Sequence, residues 1–80
     1  MDTKSLLTRI TFNPEVLCGK ATIRGNRISV DQVLKYLASG ASTGQLLEEY
    51  PELEQADIQA VLLYASQLVA EEHVYMLKAA

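Results

Sequence analysis

The stretch that decides the fold is Gly19-Lys20-Ala21-Thr22-Ile23-Arg24-Gly25-Asn26-Arg27-Ile28-Ser29-Val30. Two short segments with isoleucines flank Gly25-Asn26, a pair that readily supplies the positive φ angles of a tight turn. The pattern predicts a β-hairpin over residues 21–30 with Ile23 and Ile28 facing the core. A hairpin this short is marginal alone and needs helices to pack against.

Upstream of this stretch, residues 8–12 alternate polar and apolar side chains, with Ile10 and Phe12 on one face. Alternation with a period of two is typical of a half-buried strand. Asn13-Pro14 ends it. Residues 1–6 and 13–19 are expected to be loosely structured.

Downstream, three helix starts follow one another. Ser29 with Gln32 and Ser42 with Gln45 form capping boxes, and Glu54 with Asp57 forms a weaker version of the same pattern. Gly40 suits a left-handed C-terminal position, and Pro51 ends the second helix. The predicted helices cover residues 30–39, residues 43–50, and residues 54 to about 77.

The last helix carries an apolar stripe with spacings of three and four residues. The stripe is expected to enter the core, and its far end could cover a partner protein or form the seam of a homodimer; the sequence does not separate the two. Its members are Ile58, Val61, Leu62, Ala65, Leu68, Val69, Tyr75 and Met76, of which the last four form the candidate interface.

Length and composition describe one small domain of 80 residues with 49% hydrophobic residues. We expect a mainly α domain over residues 1–80, with a strand and β-hairpin region at 8–30 and a three-helix, helix-turn-helix region at 30–78. A chain of this size buries only about 60% of its unfolded surface, so homodimerisation would help it. With no apolar run long enough for a membrane span, no signal-peptide pattern and one cysteine, the expected location is the cytoplasm.

Charge is unevenly distributed along the chain. Residues 1–40 carry six cations and three acids, whereas residues 41–80 carry one cation and seven acids. The overall charge of −3 argues against a surface that binds nucleic acid everywhere, but a local basic face is compatible with it. The candidate residues for contacts with DNA or with an acidic protein are Arg9, Lys20, Arg24, Arg27 and Lys35.

Catalysis is not expected. Cys18 lies beside Lys20, which could activate a thiolate, but a lone cysteine in such a loop more often packs as a small hydrophobe under the hairpin. His73 is the only histidine, is distant in sequence, and is expected to be solvated. No glycine-rich phosphate loop or metal-ligand spacing is present, so no cofactor or metal is predicted.

The three helices fit a DNA-binding helix-turn-helix, in which the later helix enters the major groove. Its exposed glutamines Gln55 and Gln59 could contact adenines, although Glu54 and Asp57 would face phosphates unfavourably. A three-helix packing unit with no nucleic acid fits the same spacing equally well.

The motifs Arg9-Ile-Thr-Phe-Asn-Pro-Glu, Gly19-Lys20 and Ile23-Arg24-Gly25-Asn26-Arg27-Ile28 resemble a small bacterial family of unknown function, widespread in cyanobacteria. The resemblance spans about residues 8–66. This sequence departs from the family pattern at three positions. The family usually has Pro where this chain has Ala21, Thr where it has Asn26, and a Ser or Thr helix cap where it has Glu54.

The resemblance implies a homeodomain-like or winged-helix-like fold and an antitoxin. It implies that a dimer binds operator DNA as an autoregulator and neutralises a neighbouring toxin that resembles PIN-domain ribonucleases. Arg24 and Arg27, on the two sides of the turn, would then reach outward to a carboxylate cluster or to phosphates. A protein–protein adaptor that does not bind DNA is the alternative.

Overall fold

The computed structural model describes the backbone of residues 2–79 and the side chains of residues 2–71. Within these residues the chain is mainly helical, with a two-stranded sheet near the N-terminus, as expected from the sequence. The elements are α1 (Thr3–Leu7), β1 (Ile10–Phe12), a 3-10 turn (Leu17–Gly19), β2 (Ala21–Ile23), α2 (Val30–Ala38), α3 (Thr43–Glu49) and α4 (Gln55–Ala79).

The sheet is antiparallel and pairs β1 with β2, with Ile10 opposite Ile23 and Phe12 opposite Ala21. The predicted hairpin over residues 21–30 is only partly present, because its return arm makes a single bridge, Thr22 to Ser29. The reason is local: Ser29 already caps α2, so the chain turns into the helix before a third strand can form. Ile23 and Ile28 are both buried, as predicted.

The predicted helix starts are present. Ser42 and Gln45 form a complete capping box, with reciprocal bonds of 3.1 and 2.8 Å. The Ser29 hydroxyl accepts the Gln32 N–H at 3.0 Å, but the Gln32 side chain donates to the Tyr50 hydroxyl, which ties α2 to the end of α3. Gly40, which follows the C-cap Ser39 of α2, takes a φ of +100°, as its C-terminal role requires.

The core lies where the sheet and the three later helices meet. Its buried apolar residues are Ile10, Ile23, Ile28, Val30, Val33, Leu46, Leu53, Ile58, Ala60 and Val61.

The predicted core stripe of α4 is correct at Ile58 and Val61 and wrong at Leu62, which is 49% exposed. Leu68 and Val69 are 45 and 52% exposed, so they lie outside the core, and their role as interface residues stays a prediction. The stripe fails because the buried core ends at Val61, and none of residues 62–71 is buried. The Tyr75 and Met76 side chains lie outside the described residues, as does that of His73.

Residues expected to be loose contain two ordered features. Asp2 caps α1 by accepting the Ser5 N–H at 2.7 Å, and α1 packs against α4. In the 3-10 turn, Leu17 and Cys18 both have left-handed φ angles, and Cys18 is exposed. The expectation that Cys18 packs under the hairpin is therefore wrong, because the residue is exposed to solvent.

Candidate functional site

Asp57 is a fully buried carboxylate in the first turn of α4. Asp57 lies three residues after Glu54, the predicted cap residue of this helix, and its Oδ2 accepts the backbone N–H of Glu54 at 2.8 Å. Asp57 thus supplies the side-chain cap that the Glu54 side chain does not. A carboxylate at a helix N-terminus also interacts favourably with the helix dipole.

The sheet brings two arginines to this carboxylate. Arg9 precedes β1 and Arg24 follows β2, so the pairing of Ile10 with Ile23 places them side by side; the Arg24 N–H donates to the Arg9 carbonyl at 2.8 Å. Arg24 donates to Asp57 from Nε at 3.0 Å and from Nη2 at 2.9 Å. Arg9 donates from Nη1 to Asp57 at 2.9 Å and to Glu54 at 2.8 Å.

These four residues, Arg9, Arg24, Glu54 and Asp57, are called the arginine–carboxylate cluster below. Burial by itself would raise the pKa of Asp57, but the hydrogen bonds from Arg24, the Glu54 N–H and Arg9 outweigh it, so the pKa lies below its ordinary value. Arg24 also donates to the Glu52 carbonyl at 2.6 Å. The cluster therefore joins the sheet to the N-terminus of α4 across more than 30 residues of sequence.

The five predicted basic contact residues divide into two groups. Arg9 and Arg24 are engaged in the cluster, and Lys35 pairs with Asp31 at 3.2 Å along α2. Arg27 and Lys20 are exposed, and neither has a hydrogen bond or ion pair with the side chains of residues 2–71. The two arginines beside the turn therefore differ: Arg24 points to Asp57 of its own chain, whereas Arg27 does not.

The predicted base-reading residues Gln55 and Gln59 are exposed on the first turns of α4. They are four residues apart and therefore share one side of the helix. Exposed acids precede them in sequence: Glu48, Glu49, Glu52 and Glu54. Their role in reading DNA stays a prediction.

An apolar groove of about 300 Å³ opens between β2, α2 and α4. We call it the α2–α4 groove. Its lining includes Val30, Leu34, Tyr64 and Leu68, and the ring of Phe12, 61% exposed, lies 6.1 Å from that of Tyr64. The remaining lining residues are Lys20, Ala21, Ser29 and Asp31.

Among the described side chains, no three histidines, cysteines or acids come together as they would to bind a metal ion. None of the helices in that part of the chain is long and apolar enough to cross a membrane.

Sequence reasoning missed the arginine–carboxylate cluster. The sequence predicts a helix-start role for Asp57 and surface positions for the cations Arg9 and Arg24. A signal was present, because Asp57 lies four residues before Val61 and so on the core side of the helix, where a carboxylate needs a cationic partner. What the sequence lacked was the β1–β2 register, which alone places Arg9 and Arg24 together.

Comparison with known proteins agrees with this fold. The chain is 34% identical to the uncharacterized protein y4eO of Sinorhizobium fredii over 56 residues, which are 70% of this chain and 25% of that protein. The chain therefore spans about a quarter of that relative's length. A crystal structure of a DUF433 member from Anabaena variabilis superposes with a TM-score of 0.74 and 31% identity, covering 92% of this chain and 73% of the other.

The family described as "Protein of unknown function (DUF433)" matches residues 10–65, which include β1, β2, α2, α3 and the first part of α4. The match contains Arg24, Glu54 and Asp57 of the arginine–carboxylate cluster, and Arg9 lies one residue before it. This chain belongs to the DUF433 family.

Proposed function

We propose that this protein is a protein-binding module of the antitoxin type, which neutralises a ribonuclease toxin resembling PIN-domain enzymes. One observation carries the proposal: large apolar side chains of α4 are exposed, whereas Arg9, Arg24 and Lys35 are already paired within the chain. The surface is thus better suited to a protein than to a polyanion. An expected site of action in the cytoplasm goes with this proposal.

The proposed contact surface is the outer face of α4, defined by Leu62 and Val69. They are seven positions apart, so they lie on the same side of the helix, two turns apart. Each is about half exposed, and covering it with a partner would contribute on the order of 1 kcal/mol. Two such residues supply only part of a stable interface, so polar contacts are also needed.

Arg27 is the candidate for that polar contact. A PIN-like active site is a cluster of carboxylates, and a guanidinium forms short, charge-assisted hydrogen bonds with carboxylates. Since Arg27 has no partner among the side chains of residues 2–71, binding would not have to break an existing ion pair. Arg24 would have to leave Asp57 to play the same part, which makes it the poorer candidate.

Operator DNA is the second candidate partner. It is favoured by Lys20 and Arg27, two exposed cations without an ion pair among the side chains of residues 2–71, and by exposed Gln55 and Gln59 on one side of α4. The acids around the start of α4 oppose it, because phosphate contacts dominate DNA affinity. A specific complex with DNA therefore requires the cations to approach the backbone at a distance from Glu52 and Glu54.

The first test is inhibition of a PIN-like ribonuclease encoded beside this gene. The wild-type chain should bind it and abolish its RNA cleavage, whereas Leu62→Asp combined with Val69→Asp should weaken inhibition at least tenfold. Gln67→Asp is the matched control, since it adds a carboxylate to the same helix on another side. Absence of binding by the wild-type chain would overturn the proposal; binding without inhibition would leave an adaptor instead of an antitoxin.

The second test is a gel shift on DNA upstream of the gene at two salt concentrations. A sequence-specific complex that Arg27→Ala and Lys20→Ala weaken, and that weakens further as salt rises, would support autoregulation. No shift at low salt would remove operator DNA from the proposal.

A further inference from the structure

The α2–α4 groove is lined mainly by apolar surface and also by Lys20. Val30 and Leu34 of α2 face Tyr64 and Leu68 of α4 across it. Lys20, another lining residue, is exposed and has no carboxylate partner among the side chains of residues 2–71. A ligand that fits this groove therefore presents an apolar group with a carboxylate close beside it.

This chain itself carries that combination. Leu68 is 45% exposed although it lines the groove, and Glu71 follows one helical turn later. Residues three apart lie on adjacent positions of one helix face. Glu71 is exposed and has no ion pair with the described side chains, so it is available to a cation.

We infer that two copies of this chain associate through the α2–α4 groove, with Leu68 of each copy in the groove of the other and Glu71 of each copy beside Lys20 of the other. Because Leu68 is both a lining residue and the inserted residue, the contact is self-complementary, as a two-fold axis requires. The two α4 helices then run antiparallel and cross near Leu68. In that arrangement, Glu71 of one copy lies opposite Tyr64 and Lys20 of the other.

The charges favour a second copy over an unrelated apolar helix. Two charged residues line the groove, and Asp31 is already paired with Lys35. Lys20 has no carboxylate partner among the side chains of residues 2–71, so the groove offers a cation to Glu71 of a second copy. The arrangement also leaves the outer face free, since Leu62 and Val69 lie about 100° or more around the helix from Leu68. Dimerisation through the groove and partner binding through the outer face are therefore independent.

The inference is tested by sedimentation equilibrium of the full chain from low micromolar to about 500 μM, with the helix content checked by circular dichroism. The wild-type chain should reach twice its mass of 8.8 kDa. Leu68→Asp should remain at the monomer mass over the same range, and Val69→Asp, one residue away on the outer face, should dimerise like the wild type. A wild-type chain that stays monomeric throughout would overturn the inference, as would dimerisation of Leu68→Asp with unchanged affinity.

Charge reversal tests the polar contact separately. Lys20→Glu and Glu71→Lys should each weaken the dimer at least tenfold, and the double variant should recover most of that loss, because the pair is then restored with opposite signs. Both residues are exposed, so neither change should disturb the fold. If the loss of dimer affinity in the double variant equals the sum of the losses in the two single variants, Lys20 and Glu71 do not meet and the proposed geometry is wrong.

Discussion

The guanidinium of Arg24 holds the carboxylate of Asp57 side-on, with Nε 3.0 Å from Oδ1 and Nη2 2.9 Å from Oδ2. Asp57 is fully buried, whereas the Arg24 side chain is 37% exposed. The pair thus spans the boundary between core and solvent. It gives an arginine of an exposed turn a structural role, whereas Arg27 has no ion pair among the side chains of residues 2–71.

Asp57→Asn should destabilise the fold by about 2–3 kcal/mol. The side-chain amide of this variant can still accept the Glu54 N–H, but it carries no charge to face Arg9 and Arg24. Removing one charge of a buried ion pair is strongly destabilising, because the other charge is left without a partner. Here the effect is reduced because the arginines are partly exposed to solvent. Urea denaturation followed by circular dichroism measures the change in unfolding free energy.

The control is Asp31→Asn, which removes an exposed pair with Lys35. Exposed pairs contribute little, so the change should be below about 0.5 kcal/mol. Equal effects of the two substitutions would mean that the arginine–carboxylate cluster contributes no more than a surface pair.

Stability should fall in acid because of the same carboxylate. The pKa of Asp57 is lowered in the folded chain, so its contribution is present in full above the unfolded-state pKa of about 3.9 and is lost as pH falls through the lower folded value. The unfolding free energy should therefore change little with Asp57 ionisation at pH 5–7 and decline below about pH 4. Asp2, whose pKa is also lowered, by its bonds to Ser5, adds a decline of the same sign.

The share due to Asp57 is isolated by repeating the titration on Asp57→Asn. That variant should lose less stability between pH 5 and pH 3 than the wild type does. Parallel curves for the two proteins would show that Asp57 does not titrate differently on folding.

The helical half of the fold follows from local signals that act within a few residues. Ser29 and Ser42 each cap the helix that follows, and Gly40 takes the positive φ that ends α2. Such signals are visible in a sequence because cap and turn chemistry depends on neighbours. The start of α4 was predicted for the same reason, although Asp57 and not Glu54 provides the cap.

What sequence reasoning missed depends on distant residues. The sequence predicts a hairpin in which residues 21–30 pair with one another, whereas β2 pairs with β1, and the nearest partners, Phe12 and Ala21, are nine positions apart. The sequence predicts Leu62 in the core because helical periodicity shows which side of a helix is apolar. It does not show along what length of the helix other elements cover that side. Arg24 was expected at the surface because its partner lies 33 positions away.

Substitutions at Arg24 and at Arg27 should distinguish an effect on folding from an effect on partner binding. Arg24→Ala should lower the unfolding free energy by about 1–2 kcal/mol, because it leaves the Asp57 carboxylate and the Glu52 carbonyl with fewer donors. Arg24→Lys should recover only part of the loss, since one ammonium cannot reproduce the two-point contact with Asp57. Denaturation curves of the two variants measure both effects.

The matched change Arg27→Ala should leave stability within about 0.5 kcal/mol of the wild type, because the side chain is exposed and unpartnered among the described residues. The same variant should weaken inhibition of the proposed toxin. The assignment of the two roles would be reversed if Arg27→Ala destabilised the chain more than Arg24→Ala.

Two glycines that flank the α2–α3 connection should respond oppositely to alanine. Gly40 has a φ of +100° and open space where a Cβ would stand, so Gly40→Ala should cost about 1–2 kcal/mol through the backbone alone. Gly44 lies inside α3, and its Cβ would meet the Ser42 hydroxyl oxygen at an ordinary 3.7 Å, so Gly44→Ala should stabilise by about 0.5–1 kcal/mol. Thermal unfolding should show melting temperatures on either side of the wild-type value, because one substitution opposes the backbone conformation and the other favours it. A lowered melting temperature for Gly44→Ala would mean that the added methyl group disturbs the Ser42–Gln45 capping box. In that case Gln45→Ala, which removes one side of the capping box, should lower the melting temperature by the same amount.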